Sequence, residues 1–260
     1  MFYRYFIFVV LAAVLTTTVF GQTKKTQPPT PAVPQPSATP ETALPSDGPK
    51  KNGRPAVVSK AEASSEGYLP TYFFEFTRPG FIISHITIEH DASGRGKISF
   101  LKKDLDQMLT DPLQLSAGTL KTIDDTLARM DFLGSTENYQ YEQDRSNMGD
   151  NVIRIVKDGR ERTTKYNWTT NPDAKLLMDE YRRVGNEAVW KFDLASARVN
   201  QPLDTPRLLD SLDSYIQRNE ISDAPHLIPL LQDINNDERL PLIARNHAAR
   251  LIKRIESVHK

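Results

Sequence analysis

The clearest structural signal in this chain of 260 residues is NVIRIVKDGRERTTKYNW, Asn151 to Trp168. Apolar or β-branched residues alternate with polar ones around the dipeptide Asp158-Gly159. Such a dipeptide favours a two-residue turn between antiparallel strands, because both of its positions must adopt a positive φ angle. The sequence therefore predicts a β-hairpin over these residues.

Further strands and a helix are predicted upstream of this hairpin. The strands are the β-branched and aromatic segments TYFFEF (71–76), GFIISHITIEH (80–90) and KISFLK (97–102), which are separated by the turn-forming TRPG and DASGRG. The helix is predicted within LSAGTLKTIDDTLARMDFLG (115–134), where Ser116 is a suitable N-cap. Its apolar residues recur at helical spacing: Leu120, Ile123, Leu127 and Met130.

A long helix is predicted after the hairpin, from the pair Asn171-Pro172 to about Asn200. Its apolar face, at steps of three and four, holds Leu177, Tyr181, Val184, Ala188, Phe192, Ala195 and Val199. Gly185 suggests a kink, and we expect Phe192 to be buried against the C-terminal helices. Together these elements predict an α+β domain over 67–200, in which helices pack on an antiparallel sheet of two hairpins (hairpin-helix-hairpin-long helix).

The remaining residues, 201–260, predict a small all-α C-terminal module. The last of its helices is expected to bury one face, which consists of Ile243, His247, Ala248, Leu251, Ile252 and Ile255. The segment HLIPLLQDINNDERLPLIARNHAARLIKRI (226–255) resembles a HEAT or armadillo-type helix pair, through Arg245, Ala248, Ala249, Leu251 and Ile255. That resemblance implies a packing style and no activity. The body before it resembles uncharacterised exported bacterial proteins with a hairpin–helix–hairpin–helix domain, which also implies no activity.

The first 66 residues indicate export. Arg4 precedes an apolar run, and small residues lead to Gly21, which is the layout of a secretory signal peptide (1–21). A retained signal would instead anchor the protein in a membrane through residues 5–20. The segment 22–66 holds nine of the 18 prolines and no aromatic residue, which predicts a disordered, proline-rich linker.

The loop that begins at Asp91 comes nearest to a chemical motif. A calcium loop over 91–102 would place Asp91, Ser93 and Gly96 suitably, but Arg95 and Lys102 would occupy ligand positions. A phosphate-binding loop needs a third glycine and a following helix, whereas a strand follows here. Asp, Ser and Gly between two apolar strands need no ligand, since they are the residues of a turn. The turn is therefore the interpretation that the sequence favours.

The other ionisable residues of interest are expected to have structural or solvent-exposed positions rather than catalytic ones. His85 and His90 lie five apart, so a strand would direct them to opposite faces rather than to one metal. His247 lies on an apolar helix face and is expected to be a packed, hydrogen-bonded residue. The carboxylate pairs Asp124-Asp125 and Asp210/Asp213 are expected to face solvent. Because the chain also has no cysteine and no metalloprotease, nucleophile-elbow or phosphate-loop motif, we expect no catalytic residue, no metal and no cofactor.

One surface is a candidate for a partner. The basic residues Arg245, Arg250, Lys253 and Arg254 lie on the outer side of the last predicted helix. Residues 203–260 nevertheless hold eight basic and nine acidic residues, so we expect no nucleic-acid partner. Membrane contact is expected only through an uncleaved signal.

The function expected from the sequence is that of an exported, non-enzymatic cell-envelope protein, located in the periplasm or outside the cell. It would bind another envelope protein or polymer from a flexible tether. An envelope hydrolase whose site is assembled from distant residues is one alternative. A membrane-anchored structural protein is another, if the signal is retained.

Overall fold

The computed structural model of the protein describes residues 69–258. Within this range the chain forms a six-stranded antiparallel sheet and five α-helices, which confirms the predicted α+β class. The strands are β1 (Tyr72–Thr77), β2 (Ile83–His90), β3 (Arg95–Lys102), β4 (Leu109–Gln114), β5 (Asp150–Lys157) and β6 (Arg160–Tyr166). The helices are α1 (Ala117–Arg129), α2 (Pro172–Asn200), α3 (Thr205–Gln217), α4 (Ile228–Asn236) and α5 (Leu242–Val258).

The sheet has the strand order β4-β3-β2-β1-β5-β6, with β1 near its centre. Phe74 of β1 lies opposite Ile88 of β2 on one side and opposite Ile153 of β5 on the other. The predicted hairpin of β5 and β6 is confirmed, and its turn residues Asp158 and Gly159 have φ angles of 52° and 71°. Alternate residues of β1, β2, β3, β5 and β6 share one buried face, as the period of a strand requires.

The sequence did not indicate β4. Its sequence, LTDPLQ, contains a proline and only two apolar residues, so it lacks the composition of a strand. Pro112 is tolerated because β4 is an edge strand, paired with β3 alone in the described sheet. The first half of the sheet thus has four strands, where the sequence predicted three.

The helices α1 and α2 cover the buried face of the sheet. Ser116 caps α1 by accepting a hydrogen bond from the Thr119 N–H at 3.1 Å, and Asn171 caps α2 in the same way, as predicted. The main apolar cluster combines the buried strand residues with side chains of both helices, including Ile123, Leu177 and Tyr181. The opposite face of the sheet is polar and partly exposed.

The long helix α2 is confirmed, but its predicted face is wrong in the second half. Phe192 packs on the sheet, with its ring edge-to-face against Phe100 at 5.4 Å between centroids. Ala195 and Val199 are exposed, and Val199 has 80% of its surface accessible. The residues of α2 that join the C-terminal cluster are Trp190 and Leu194. The buried side of α2 therefore shifts around the helix axis as its packing partner changes.

Gly185 does not break α2, which runs unbroken through it. A Cβ atom at this position would lie 3.2 Å from the Cδ1 atom of Ile86 on β2. This glycine therefore marks the close approach of the helix to the sheet rather than a kink.

The C-terminal helices enclose a second apolar cluster. Its buried members beyond α2 are Leu209, Leu212, Ile221, Leu227, Leu231, Ile234, Leu240, Ala244, Ala248, Leu251 and Ile255. Ile243, predicted to be buried, is 64% exposed, and Ala244 occupies the buried position instead. Because α2 contributes to both clusters, the domain boundary between residues 200 and 201 remains a prediction.

The predicted signal peptide (1–21) and linker (22–66) lie outside the described residues. Among the helices of residues 69–258, none is both long and apolar enough to cross a membrane.

Candidate functional site

The loop between β2 and β3 has the geometry of a turn. One carboxylate oxygen of Asp91 accepts hydrogen bonds from the N–H of Ser93 at 2.8 Å, the hydroxyl of Ser93 at 2.6 Å and the N–H of Arg95 at 3.1 Å. Partial burial acts to raise the pKa of Asp91, but these hydrogen bonds together lower it. The carboxylate is therefore engaged in closing the turn. No group of three or more histidine and acidic side chains that could hold a metal ion occurs within the described range.

The two strand histidines lie on opposite faces of the sheet, as the sequence predicted. His85 contacts Glu75 on the outer face at 2.8 Å. His90 is fully buried, where it stacks on Tyr72 with 4.6 Å between ring centroids. Its Nδ1–H donates to the Asp91 carbonyl at 2.8 Å, and its Nε2 lies 3.1 Å from the Tyr181 hydroxyl. Burial lowers the pKa of His90, so the ring is neutral at pH 7.

The four basic residues predicted as a partner surface lie along α5 in different environments. Arg245 is partly buried and its Nε atom has no hydrogen-bond partner in the described part of the chain, whereas Arg250, Lys253 and Arg254 are exposed. Arg254 forms an ion pair with Asp213 of α3, which reduces its availability for a partner. Within residues 69–258, Arg250 and Lys253 are the exposed cations of this surface that have no ion pair, and the role of the surface remains a prediction.

Of the four carboxylates expected to face solvent, Asp124, Asp125 and Asp210 are exposed and Asp213 is half-buried. Asp124 accepts a hydrogen bond from the Tyr72 hydroxyl at 2.9 Å, whereas Asp125 pairs with a lysine on the same helix. Asp210 and Asp213 lie 3.2 Å and 3.7 Å from the ring nitrogens of His247. That histidine is buried, as predicted, and burial together with a nearby arginine lowers its pKa against the effect of Asp210.

A cleft that the sequence did not indicate lies between β4, the start of α1, α2 and the segment before α4. Its volume is about 100 Å³. Lys191 donates to the Glu187 carboxylate at 2.5 Å, and the same carboxylate oxygen lies 3.3 Å from the Nδ1 atom of His226. Asp111 of β4 also lines the cleft, and burial raises its pKa. Three elements distant in sequence thus bring ionisable groups together.

Hydroxyl and carboxylate groups continue from this cleft along the seam between α1, α2 and the C-terminal helices. Ser116 donates to Asp223 at 2.5 Å, and the hydroxyls of Thr119 and Ser222 lie 2.5 Å apart. Ser222 also donates to Glu180, a buried residue of α2. Each of these polar groups has a partner, as burial requires, so they stabilise the junction between the two apolar clusters.

The cleft does not have the geometry of a hydrolytic triad. Glu187 could orient His226 through Nδ1, as the acidic residue of a triad orients its histidine. The opposite nitrogen, Nε2, lies 3.5 Å from the Lys191 ammonium rather than from a hydroxyl. The nearby hydroxyls of Ser116 and Ser222 donate to carboxylates instead. A volume of about 100 Å³ also holds only a few water molecules, since one water occupies roughly 30 Å³.

A larger groove of about 650 Å³ runs along the other side of α2. The ion pair of Lys102 and Asp193, 2.6 Å apart, lies at one side of it. Trp190 contributes to its base, and its indole N–H donates to the Leu208 carbonyl at 2.8 Å. The other polar residues that line the groove are Asp104, Ser196, Asn200, Gln201, Asp204, Arg207, Ser211 and Tyr215. The volume is within the range of roughly 300–1,000 Å³ that is common for ligand sites.

The sequence contains a partial signal for this groove. Asp193, Ser196 and Asn200 follow one another along α2 at steps of three and four, and they form a polar stripe beside the apolar one. The signal does not show what lies opposite, because Lys102 and Asp193 are 91 residues apart in sequence. The groove is therefore a product of the tertiary fold.

Known proteins provide no further assignment of these features. No protein-family model matches the chain, and no curated protein sequence matches it.

Proposed function

We propose that the protein is an exported, non-enzymatic protein of the bacterial cell envelope, which binds another envelope protein or a polymer through the groove along α2. The observation that carries the proposal is the groove itself, which has a ligand-sized volume of about 650 Å³. Export is supported by the signal-like residues 1–21, and the proline-rich segment 22–66 would give the binding domain reach from its point of attachment.

The chemistry of the groove suits a polar ligand. Amide and hydroxyl groups of Asn200, Gln201 and Ser196 can both donate and accept hydrogen bonds. Lys102 and Asp193 neutralise each other at 2.6 Å, so the groove does not present one dominant charge there. A hydroxyl- or amide-rich polymer, or a polar protein segment, fits this surface better than an apolar molecule.

The groove can be tested by filling it. Ser196→Trp places a large side chain in the groove, while Ser257→Trp adds the same side chain to the exposed end of α5. With the full exported chain, we expect the first variant to reduce binding to a sedimented envelope fraction at least about tenfold, because it occludes the ligand surface. The second variant should bind as the natural protein does. Equal binding by both variants would exclude the groove, and no binding by the natural protein would exclude the function.

A second candidate function is that of an envelope hydrolase. The observation in its favour is the convergence of Glu187, Lys191 and His226 on one cleft. Hydrolysis of purified envelope polymer by the natural protein, lost in Glu187→Gln and His226→Asn, would favour this candidate over the binding protein. Two observations favour the binding protein instead: Nε2 of His226 lies beside the Lys191 ammonium rather than a hydroxyl, and the cleft has a volume of only about 100 Å³.

A further inference from the structure

The two edges of the sheet differ in their ability to accept another strand. At one edge, Pro112 of β4 has no backbone N–H to donate. At the other edge, β6 has the sequence RERTTKY, which contains no proline, and within residues 69–258 it pairs only with β5. An edge strand with its donors and acceptors intact is a template for a further strand. The sheet can therefore be extended at β6.

The backbone groups that face outward from β6 belong to Glu161, Thr163 and Lys165. The N–H of Val156 in β5 donates to the Thr71 carbonyl at 2.8 Å, on the side of β1. Every second residue of β5, counted from Val156, therefore faces away from β6. The residues of β6 opposite this set are Glu161, Thr163 and Lys165, so their N–H and C=O groups point to the outer edge.

The side chains of these three residues are complementary to a second copy of themselves. Two β6 strands that pair antiparallel about Thr163 place each Glu161 opposite the Lys165 of the other copy, and Thr163 opposite Thr163. Opposite charges and threonine pairs on neighbouring strands are favourable. A register centred on Glu161 or on Lys165 would place like charges opposite each other. Among the registers centred on an outward-facing residue of β6, the charge order thus selects the one centred on Thr163.

These side chains also remain accessible for such pairing. Lys165 is 63% exposed and Glu161 is 54% exposed, although each has an intramolecular partner on β5. A groove of about 500 Å³ is lined by residues 161–165 of β6 and by the segment 133–138, which Arg162 contacts through the Glu137 carbonyl at 2.7 Å.

We propose that the protein forms a two-fold symmetric dimer in which β6 pairs antiparallel with β6 of a second copy. The two sheets become one continuous sheet across the dyad, and the interface uses the same patch on both copies. This inference stands independently of the ligand groove.

Sedimentation of the full chain over a range of concentrations tests the dimer. Thr163→Pro removes the N–H next to the dyad, and an edge strand tolerates proline where its N–H points outward. We expect the natural protein to dimerise and this variant to show a dimer Kd at least about tenfold higher, since it loses two symmetry-related hydrogen bonds. Lys121→Glu, on the exposed side of α1, is the control and should dimerise normally.

Charge reversal provides a second test that does not depend on proline. Glu161→Lys and Lys165→Glu should each weaken self-association about tenfold, because like charges then face each other twice. The double variant restores the complementary order and should dimerise. An equimolar mixture of the two single variants should form heterodimers for the same reason. A protein that stays monomeric at its highest soluble concentration, or a dimer that survives Thr163→Pro and both single reversals, overturns the proposal.

Discussion

At the scale of single residues, His90 shows how a polar group becomes part of the core. Its ring is held on both edges, by the Asp91 carbonyl and the Tyr181 hydroxyl, and it stacks on Tyr72. Burial also raises the pKa values of both tyrosines, with the Asp124 carboxylate acting in the same direction. The three rings of His90, Tyr72 and Tyr181 are therefore uncharged at pH 7, and of these three only the histidine can gain a proton as the pH falls.

This arrangement predicts an acid-sensitive fold. Because the folded-state pKa of His90 is lower than its unfolded value, the unfolded chain binds more protons, and stability rises with pH in this range. The free energy of unfolding should therefore fall as the pH drops through about 6.5, by at most about 1.4 kcal/mol per pH unit for this residue. His247 contributes in the same direction. Urea unfolding between pH 5 and pH 8 measures the slope.

Substitution separates the two histidines. His90→Gln keeps a donor and an acceptor but does not titrate, so it should flatten the pH dependence, and His247→Gln should remove most of the rest. If His90→Gln unfolds with the full slope of the natural protein, the lowered pKa of His90 does not control the acid response.

At the scale of elements, α2 joins the two apolar clusters with different sides of its surface. Phe192 faces the sheet, and Trp190, only two residues before it, faces the C-terminal helices with 3% of its surface exposed. Trp190→Ala should therefore cost about 3–5 kcal/mol, as expected for emptying a packed aromatic site. Phe192→Ala should cost less, about 1–3 kcal/mol, because its side chain is only partly buried.

Hydrogen exchange can locate the two effects. Trp190→Ala should increase exchange in α3, α4 and α5 more than in β3, and Phe192→Ala should do the reverse. Each variant is the control for the other, since both remove an aromatic ring from α2. Equal loosening of both regions by either variant would mean that residues 69–258 unfold as one cooperative unit.

The elements that the sequence predicted well are those with local signals. Asp158-Gly159 sets a turn through its own φ angles, and Ser116 caps a helix through an N–H three residues away. The strand β4 was missed because its pairing with β3, rather than its composition, stabilises it. The face of α2 was wrong beyond Phe192 because a regular repeat assumes one packing partner, whereas this helix has two.

At the scale of the whole molecule, the candidate site depends on contacts that sequence spacing does not determine. The groove needs Lys102 from β3 beside Asp193 of α2, and the cleft needs His226 beside Glu187. The basic residues predicted on α5 belong to a different surface, where Arg254 already has an acidic partner. Helical periodicity could place a residue on a face of its helix, but only the fold determines what that face meets.

The organisation of the full chain predicts a single protease-resistant body. The segment 22–66 has nine prolines and no aromatic residue, so proteolytic cleavage of the full chain should begin there and leave a fragment from about Gly67 to the C-terminus. Residues 201–204 should resist cleavage, because Pro202–Asp204 form a 3-10 helix and because α2 contributes side chains to both apolar clusters. Mass spectrometry of the fragments shows where cleavage begins and whether residues 201–204 are cut. Resistance to cleavage within 22–66 would show that this segment packs on the folded body. Early cleavage at 201–204 would show that the C-terminal helices are a separate unit. A fragment that stays intact at 201–204 would show that the sheet and the C-terminal helices protect each other from the protease.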